Sequence, residues 1–197
     1  MYSNWNNTLK TSYTNWNYRK VNRNNSKYSA GILPYTFDLH GNCFFLLGKD
    51  NDGDWSDFGG RCELKDNLDE KNTASREFYE ETLGSVLSIN ECIDRLRPEN
   101  KIISKTLNGS PYYMFLVYVE HLNYSEHFVK ISNFIKYQHF NDTKSLLKIV
   151  EKTSMRWVTL DTLISCVENK QKDSPISLRG VFYKTIENCK EHLVLLK

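Results

Sequence analysis

The segment that most constrains the fold is Arg76-Glu77-Phe78-Tyr79-Glu80-Glu81, in which three glutamates recur at helical spacing. A helix places residues i, i+3 and i+4 on one side, so Glu77, Glu80 and Glu81 project from one narrow arc. Like charges at this spacing cost about 0.2–0.5 kcal/mol per pair on a solvated helix, and more when half buried, unless a cation lies between them. The segment predicts either a solvated helix face, which the hexapeptide alone favours, or a cation site.

The residues around this segment change that balance. Gly59-Gly60 follows a short strand-like segment and allows close backbone approach. Asn67 predicts the N-cap of the helix, because Glu70 stands at the capping-box position three residues later. The helix is expected to end near Leu83, before Gly84. A Gly-Gly turn, a connecting loop and a capped acidic helix form a more specific arrangement than an acidic stripe alone.

The other segments predict a single domain of mixed α and β structure. Residues 30–35 and 43–48 predict the two strands of a hairpin with a turn at 38–42. Residues 112–119 predict a buried strand, and residues 156–158 predict a shorter one. Apolar residues at helical spacing predict two further helices, one with Phe128, Ile131 and Ile135 and a last one with Leu178, Val181, Phe182, Ile186 and Cys189.

These residues resemble the Nudix box, G-x5-E-x7-R-E-U-x-E-E-x-G-U, in which U is aliphatic or bulky and apolar. The match consists of Gly60, Arg76, Glu77, Phe78, Glu80 and Glu81. Residues 30–33 resemble the first core strand of the Nudix hydrolase family, and residues 157–163 resemble its late strand and following turn. The resemblance spans about residues 28–190 and implies an α/β (α+β) fold with a mixed β-sheet sandwiched between helices.

One departure from the box concerns its loop. Counting back from Arg76 shows that the loop carries two residues more than the box. The isolated glutamate of the box falls on Leu68. We therefore expect Gly60 and either Glu63 or Glu70 to fill the roles of the glycine and the glutamate.

The resemblance implies a metal-dependent pyrophosphohydrolase that cleaves the pyrophosphate linkage of a nucleoside diphosphate joined to another moiety. It implies Mg²⁺ or Mn²⁺ as cofactor, with Glu77, Glu80, Glu81 and the backbone carbonyl of Gly60 as ligands. Glu77 is implied as a ligand or as the catalytic base, and Arg76 as the residue that holds a glutamate. This chemistry suits the substrate, because a diphosphate repels an attacking hydroxide unless cations neutralise its oxygens and activate a bound water.

Further site residues and alternative functions follow from the same resemblance. The family often adds an acidic ligand from a distant loop, for which Glu120 is the first candidate and Glu126 the second. Trp55 is a candidate for stacking on a nucleotide base, with a role in the core equally favoured. One alternative function is mRNA decapping. Another is a non-catalytic nucleotide-binding module, which the three retained glutamates disfavour.

The N-terminal segment, residues 1–27, is predicted to be a basic, aromatic extension of a Nudix domain that comprises residues 28–197. All five of its charges are positive, and the first acidic residue of the chain is Asp38. Aromatic residues between cations are typical of single-stranded nucleic-acid binding, so RNA is a second predicted partner beside the nucleotide-type diphosphate. The favoured interpretation is an extension whose aromatic residues cover the domain and whose charges are merely solvated, because nucleic-acid footprints usually contain more cations.

Composition sets the expected compartment. No apolar run approaches the roughly 18 residues that a membrane helix needs, and the N-terminus lacks the apolar stretch of a secretory signal. The five cysteines are scattered and never in C-x2-C spacing. The sequence therefore predicts a cytoplasmic protein with reduced thiols and no membrane partner.

Overall fold

A computed structural model describes residues 27–138, 149–169 and 176–195. The predicted extension, residues 1–27, lies outside the described residues except for Lys27. The predicted RNA contact of this extension therefore also lies outside them.

Seven strands of the described residues form one mixed sheet. They are β1 (Ser29–Phe37), β2 (Cys43–Asp50), β3 (Trp55–Ser56), β4 (Phe58–Arg61), β5 (Lys101–Lys105), β6 (Pro111–Tyr118) and β7 (Lys152–Thr159). The first two strands form the predicted antiparallel hairpin, and β1 pairs in parallel with β6 along its other edge. The predicted mixed α and β fold class is confirmed.

Strands β3 and β4 fill a gap between the first two strands. One edge of β1 pairs with β2 through residues 35–37 and with β4 through residues 29–32. Similarly, β2 pairs with β1 at its beginning and with β3 at its end. The first two strands therefore diverge, and the Gly59-Gly60 backbone lies in the sheet beside the start of β1.

Five α-helices of the described residues cover the two faces of the sheet. They are α1 (Glu70–Glu81), α2 (Ile89–Arg95), α3 (Tyr124–Gln138), α4 (Leu160–Glu168) and α5 (Gly180–Val194). One hydrophobic cluster joins the sheet to α1, α2 and α3 and includes Phe58, Phe78 and Phe128. A second cluster, on the opposite face, joins the sheet to α4 and α5 and includes Leu47, Leu163 and Phe182. The sheet is thus sandwiched between helices, as predicted.

The element bounds differ from the predictions mainly where elements are short. The strand predicted at 156–158 is longer and spans Lys152–Thr159, and the turn expected after it is helix α4. Helix α2 and strand β5 were not predicted. No helix of the described ranges is long and apolar enough to span a membrane.

Candidate active site

The loop between β4 and α1 is held by a buried ion pair between Asp66 and Arg76. Both oxygens of Asp66 accept hydrogen bonds from the guanidinium, at 2.8 Å from Nε and 2.9 Å from Nη2. Nη2 also donates to the carbonyl of Arg61 at 2.9 Å. Burial alone raises the pKa of Asp66, but the hydrogen bonds from Arg76 and from the backbone N–H of Glu63 lower it below its usual value. This pair fixes the loop against the helix that carries the glutamates.

The structure corrects two predictions about this loop. The N-cap of α1 is Asp69, whose Oδ1 accepts the backbone N–H of Lys71 at 2.7 Å, and not Asn67. The acid that stands at the box spacing from Gly60 is Asp66, which pairs with Arg76, and not Glu63 or Glu70, the two glutamates expected in that role. Glu63 pairs with Lys65, and Glu70 pairs with Lys101.

The structure indicates where the two extra loop residues lie. Asp66 follows Gly60 at the spacing that the box gives its glutamate, so the insertion lies between Asp66 and Arg76. Asn67 and Leu68 there adopt left-handed backbone conformations, with φ of 56° and 58°. This left-handed pair precedes the Asp69 cap.

Helix α1 brings Glu77 and Glu80 together through the same arginine. Nη1 of Arg76 donates to Oε1 of Glu77 at 2.8 Å and to Oε2 of Glu80 at 2.9 Å. The Glu77 carboxylate lies directly over Gly60, where a Cβ atom would come within 2.5 Å of its carbon and both oxygens. The side chain of Glu77 is 13% exposed and that of Glu80 is 50% exposed. Arg76 therefore holds Glu77 over Gly60 and links it to Glu80.

Glu81 projects deeper and contacts a buried lysine. Oε2 of Glu81 accepts the backbone N–H of Gly59 at 2.8 Å, and Oε1 lies 3.4 Å from Nζ of Lys152. The same Nζ lies 2.6 Å from Oδ1 of Asp50 and donates to Oγ of Ser56 at 2.8 Å. Glu81 is therefore part of an Asp50–Lys152–Glu81 cluster as well as of the glutamate arc.

The electrostatics of the site combine burial with crowding of like charges. Burial raises the pKa of Glu77 to about 7 and that of Glu81 to about 8, and the negative charge of Glu151 adds to both shifts. Burial lowers the pKa of Lys152, but Glu81 and Asp50 more than offset this and raise it. Both buried glutamates therefore bind a proton more tightly than they would in water.

The donor set suits a hard divalent cation, because every side-chain donor is a carboxylate oxygen. As the side chains stand, Arg76 bridges Glu77 and Glu80, and no three acidic, histidine or cysteine side chains in the described part of the chain surround one point. Oε2 of Glu77, however, has no hydrogen bond to another described residue. The residues therefore fit a divalent cation chemically, provided that the carboxylates turn toward it.

Of two further predicted site residues, one lies far from the glutamates and the other packs in the core. Gly60 and Tyr113 both pair with Ala30, and Glu120 comes seven residues after Tyr113. At about 3.3 Å per residue, Glu120 lies about 23 Å further along the sheet, so the structure does not bring it to the site. Trp55 is 9% exposed and packs in the second cluster, with the guanidinium of Arg156 4.8 Å from its ring centroid. The structure thus places Trp55 in the core.

Four functional candidates were missed from the sequence: Asp50, Asp66, Lys152 and Glu151. Asp66 had a detectable signal, because it stands six residues after Gly60, where the box has its glutamate. Glu151 had only its position before the late strand, and Asp50 and Lys152 had no signal. Their proximity depends on the pairing of β2 with β7.

No family model matches the chain, and no curated protein matches it. Several solved structures are similar. An Ap4A hydrolase from C. elegans, in a binary complex, is 14% identical over 85% of this chain and 97% of that chain, with a TM-score of 0.47. The NUDIX domain of Shewanella oneidensis NrtR, complexed with ADP ribose, is 12% identical over 84% and 87%, with a TM-score of 0.49. The Nudix hydrolase RenU from M. smegmatis is 12% identical over 86% and 88%, with a TM-score of 0.44. The geometry of the site itself therefore carries the functional conclusion.

Proposed function

We propose that this protein is a metal-dependent pyrophosphohydrolase of the Nudix type, acting on a nucleoside diphosphate joined to another group. The observation that carries this proposal is that one arginine holds both Glu77, whose carboxylate lies over Gly60, and Glu80. That arginine is itself fixed by Asp66. An ordinary solvated acidic face would not have a largely buried glutamate over a glycine, so the arrangement favours a cation site.

The proposed cation is Mg²⁺ or Mn²⁺, and its proposed ligands are Glu77, Glu80, Glu81 and the carbonyl oxygen of Gly60. When bound, such a cation neutralises phosphate oxygens and lowers the pKa of a coordinated water. Glu120 is omitted from the ligand set, because it follows the far end of β6, away from the residues that pair beside Gly60. Glu151 replaces it as the proposed additional acid, since its charge acts on both Glu77 and Glu81.

The chain's own residues would orient and activate the attacking water. Oε2 of Glu77 is the proposed proton acceptor, because Arg76 holds the other oxygen and burial brings the pKa of this carboxyl to about 7. A base whose pKa lies near the working pH is the most effective one. Arg76 acts as a positioning residue, since its contacts reach Asp66, Glu77 and Glu80 and thereby hold the carboxylates in one orientation.

The proposal is tested by hydrolysis assays with Glu77→Gln and Glu80→Gln. The substrates are a dinucleoside polyphosphate, ADP-ribose and capped RNA, each with Mg²⁺ and with Mn²⁺. We expect the wild type to hydrolyse at least one of them, and Glu77→Gln to lower kcat by at least about 100-fold, as loss of a general base does. Glu80→Gln should raise the metal concentration that half-maximal activity requires.

Glu120→Gln is the matched control, because it is the same substitution at an exposed site far from Gly60. It should leave kcat unchanged. Near-normal turnover of Glu77→Gln, in a protein whose circular dichroism matches that of the wild type, would contradict the proposal. A loss of activity in Glu120→Gln would instead restore that residue to the site.

A further inference from the structure

Lys152 is a fully buried cation next to the proposed active site. Its side chain is 0% exposed, and its ammonium lies 2.6 Å from Oδ1 of Asp50 and 3.4 Å from Oε1 of Glu81. It also donates to Oγ of Ser56 at 2.8 Å and to the carbonyl of Asp57 at 3.3 Å. Lysine is almost never fully buried unless it is paired, so this position requires the two acids.

The fold provides a specific place for this side chain. The register between β2 and β7 shifts at Lys49, and this shift puts Asp50 opposite Lys152. Gly48 makes room for the lysine stem, because a Cβ atom there would lie 3.0 Å from Cδ of Lys152. The ammonium thus sits between Asp50 and Glu81, where it neutralises negative charge that would otherwise be buried without compensation.

A divalent cation bound to Asp50 and Glu81 would do the same electrostatic work as Lys152. Both cations cannot occupy this space, because like charges repel strongly in a buried, weakly screened environment. The cations beside Glu77 and Glu80 are held differently from Lys152. Arg76 also donates to Asp66 through Nε and Nη2, and Lys65, 3.2 Å from Oε1 of Glu80, has a side chain that is 42% exposed. The cation beside Glu81 is therefore fully buried and fixed, whereas the cations beside Glu77 and Glu80 are shared with Asp66 or lie at the surface.

We infer that Lys152 is a built-in cation of the active site, which occupies the space between Asp50 and Glu81 and confines divalent-cation binding to the Glu77–Glu80 side. This inference rests on the proposed function and refines its ligand set. Glu81 then orients the Gly59 N–H and contributes little to metal affinity. Lys152 acts through Glu81, so it is a positioning residue and not a catalytic one.

Mn²⁺ binding without substrate tests this inference independently of catalysis. Free Mn²⁺ is measured by electron paramagnetic resonance during titration of the wild type, Glu80→Gln and Glu81→Gln, which carry the same substitution at adjacent positions. We expect Glu80→Gln to weaken Mn²⁺ binding by at least about tenfold and Glu81→Gln to weaken it by less than about threefold. The reverse order would overturn the inference.

Lys152→Gln tests the competition directly. Removing the ammonium leaves Asp50 and Glu81 available, so Mn²⁺ should bind at least about tenfold more tightly or at an additional site. Lys101→Gln is the matched control, because Lys101 also pairs with a glutamate, Glu70, away from this cluster. It should bind Mn²⁺ like the wild type. Unchanged or weaker Mn²⁺ binding by folded Lys152→Gln would overturn the inference.

A double variant covers the case in which Lys152→Gln does not fold. Asp50→Asn with Lys152→Gln removes one acid together with the lysine, and leaves Glu81 without a cation. Mn²⁺ should raise the Tm of this variant more than that of the wild type, whereas equal shifts would overturn the inference. If the wild type binds no Mn²⁺ at all, the proposed function fails together with the inference. If the wild type binds Mn²⁺ and the Lys152 variants bind it in the same way, the inference is overturned but the proposed function is not.

Discussion

At the scale of single residues, the site depends on how buried charges are paired. Arg76 is 8% exposed in its side chain and Asp66 is 3% exposed, and the arginine uses its remaining donors on Glu77, Glu80 and the Arg61 carbonyl. Removing one partner of a buried pair leaves the other charge uncompensated, which costs more than the pair itself contributes. Asp66 therefore supports both the loop and the orientation of the glutamates.

Asp66→Asn should destabilise the protein by about 2–4 kcal/mol at pH 7, as measured by urea denaturation. The pKa of Asp66 is lower in the folded state than its usual 3.8, so the ionised carboxylate stabilises the fold above about pH 4. This contribution disappears as the pH falls through the folded-state pKa. The difference between wild type and variant should therefore shrink in acid.

Asp52→Asn is the control for this prediction, because Asp52 is exposed. Surface substitutions of this kind usually change stability by less than about 0.5 kcal/mol. A pH-independent difference between Asp66→Asn and the wild type would show that the carboxylate charge is not what stabilises the loop.

At the scale of elements, the contact between α1 and β4 sets the position of the glutamates. Gly60 and the Glu77 carboxylate approach so closely that no side chain fits between them. Phe58 and Phe78 pack edge to face nearby, with ring centroids 5.4 Å apart, and hold the helix at this distance. The glycine is thus required by packing.

Gly60→Ala should push the Glu77 carboxylate away from β4, because the added Cβ would lie 2.5 Å from it. Overpacking of this kind costs about 1–3 kcal/mol, and a displaced base lowers activity. We expect the Tm to fall and kcat to decrease by at least about tenfold. Gly180→Ala is the control, since no atom lies within 4 Å of a Cβ there. Equal effects of both substitutions would contradict this packing argument.

At the scale of the whole molecule, the sheet separates two hydrophobic clusters that are covered by different helices. The cluster that contains Phe182, Ile186 and Leu193 depends on α5, the last helix of the chain. The other cluster begins at Tyr28, whose hydroxyl lies 3.3 Å from Oγ1 of Thr73. The folded unit therefore needs both residues near 28 and the C-terminal helix.

A chain that begins at Lys27 should show the far-ultraviolet circular dichroism of the described helices and strands. It should also unfold with heat as cooperatively as the full chain. A chain that ends at Arg179 should lose cooperative unfolding, because it exposes the apolar surface that α5 covers. Retention of cooperative unfolding without α5 would contradict the two-cluster description. The activity of the chain that begins at Lys27, measured on capped RNA and on free nucleotides, would test the predicted role of the N-terminal segment, residues 1–27.

Patterns that repeat within a few residues predicted the fold well. The hairpin, α1, the strand β6 and α5 each have enough residues for a clear period. Helix α2 has only seven residues and a single buried one, Cys92, so it has no apolar stripe to detect. Strand β5 is not fully buried at any position, and its sequence, KIISK, gives no alternation strong enough to predict a strand.

By itself, the sequence determined that three carboxylates share one side of a helix that follows a Gly-Gly segment, because helical geometry fixes the relation between residues three and four apart. Only the tertiary structure decided which cations face those carboxylates. Lys152 reaches Asp50 across 102 positions of the chain, and Arg76 reaches Asp66 through a left-handed loop. The partner of a buried charge is whichever group the packing brings within a few ångströms, and the packing depends on strand register.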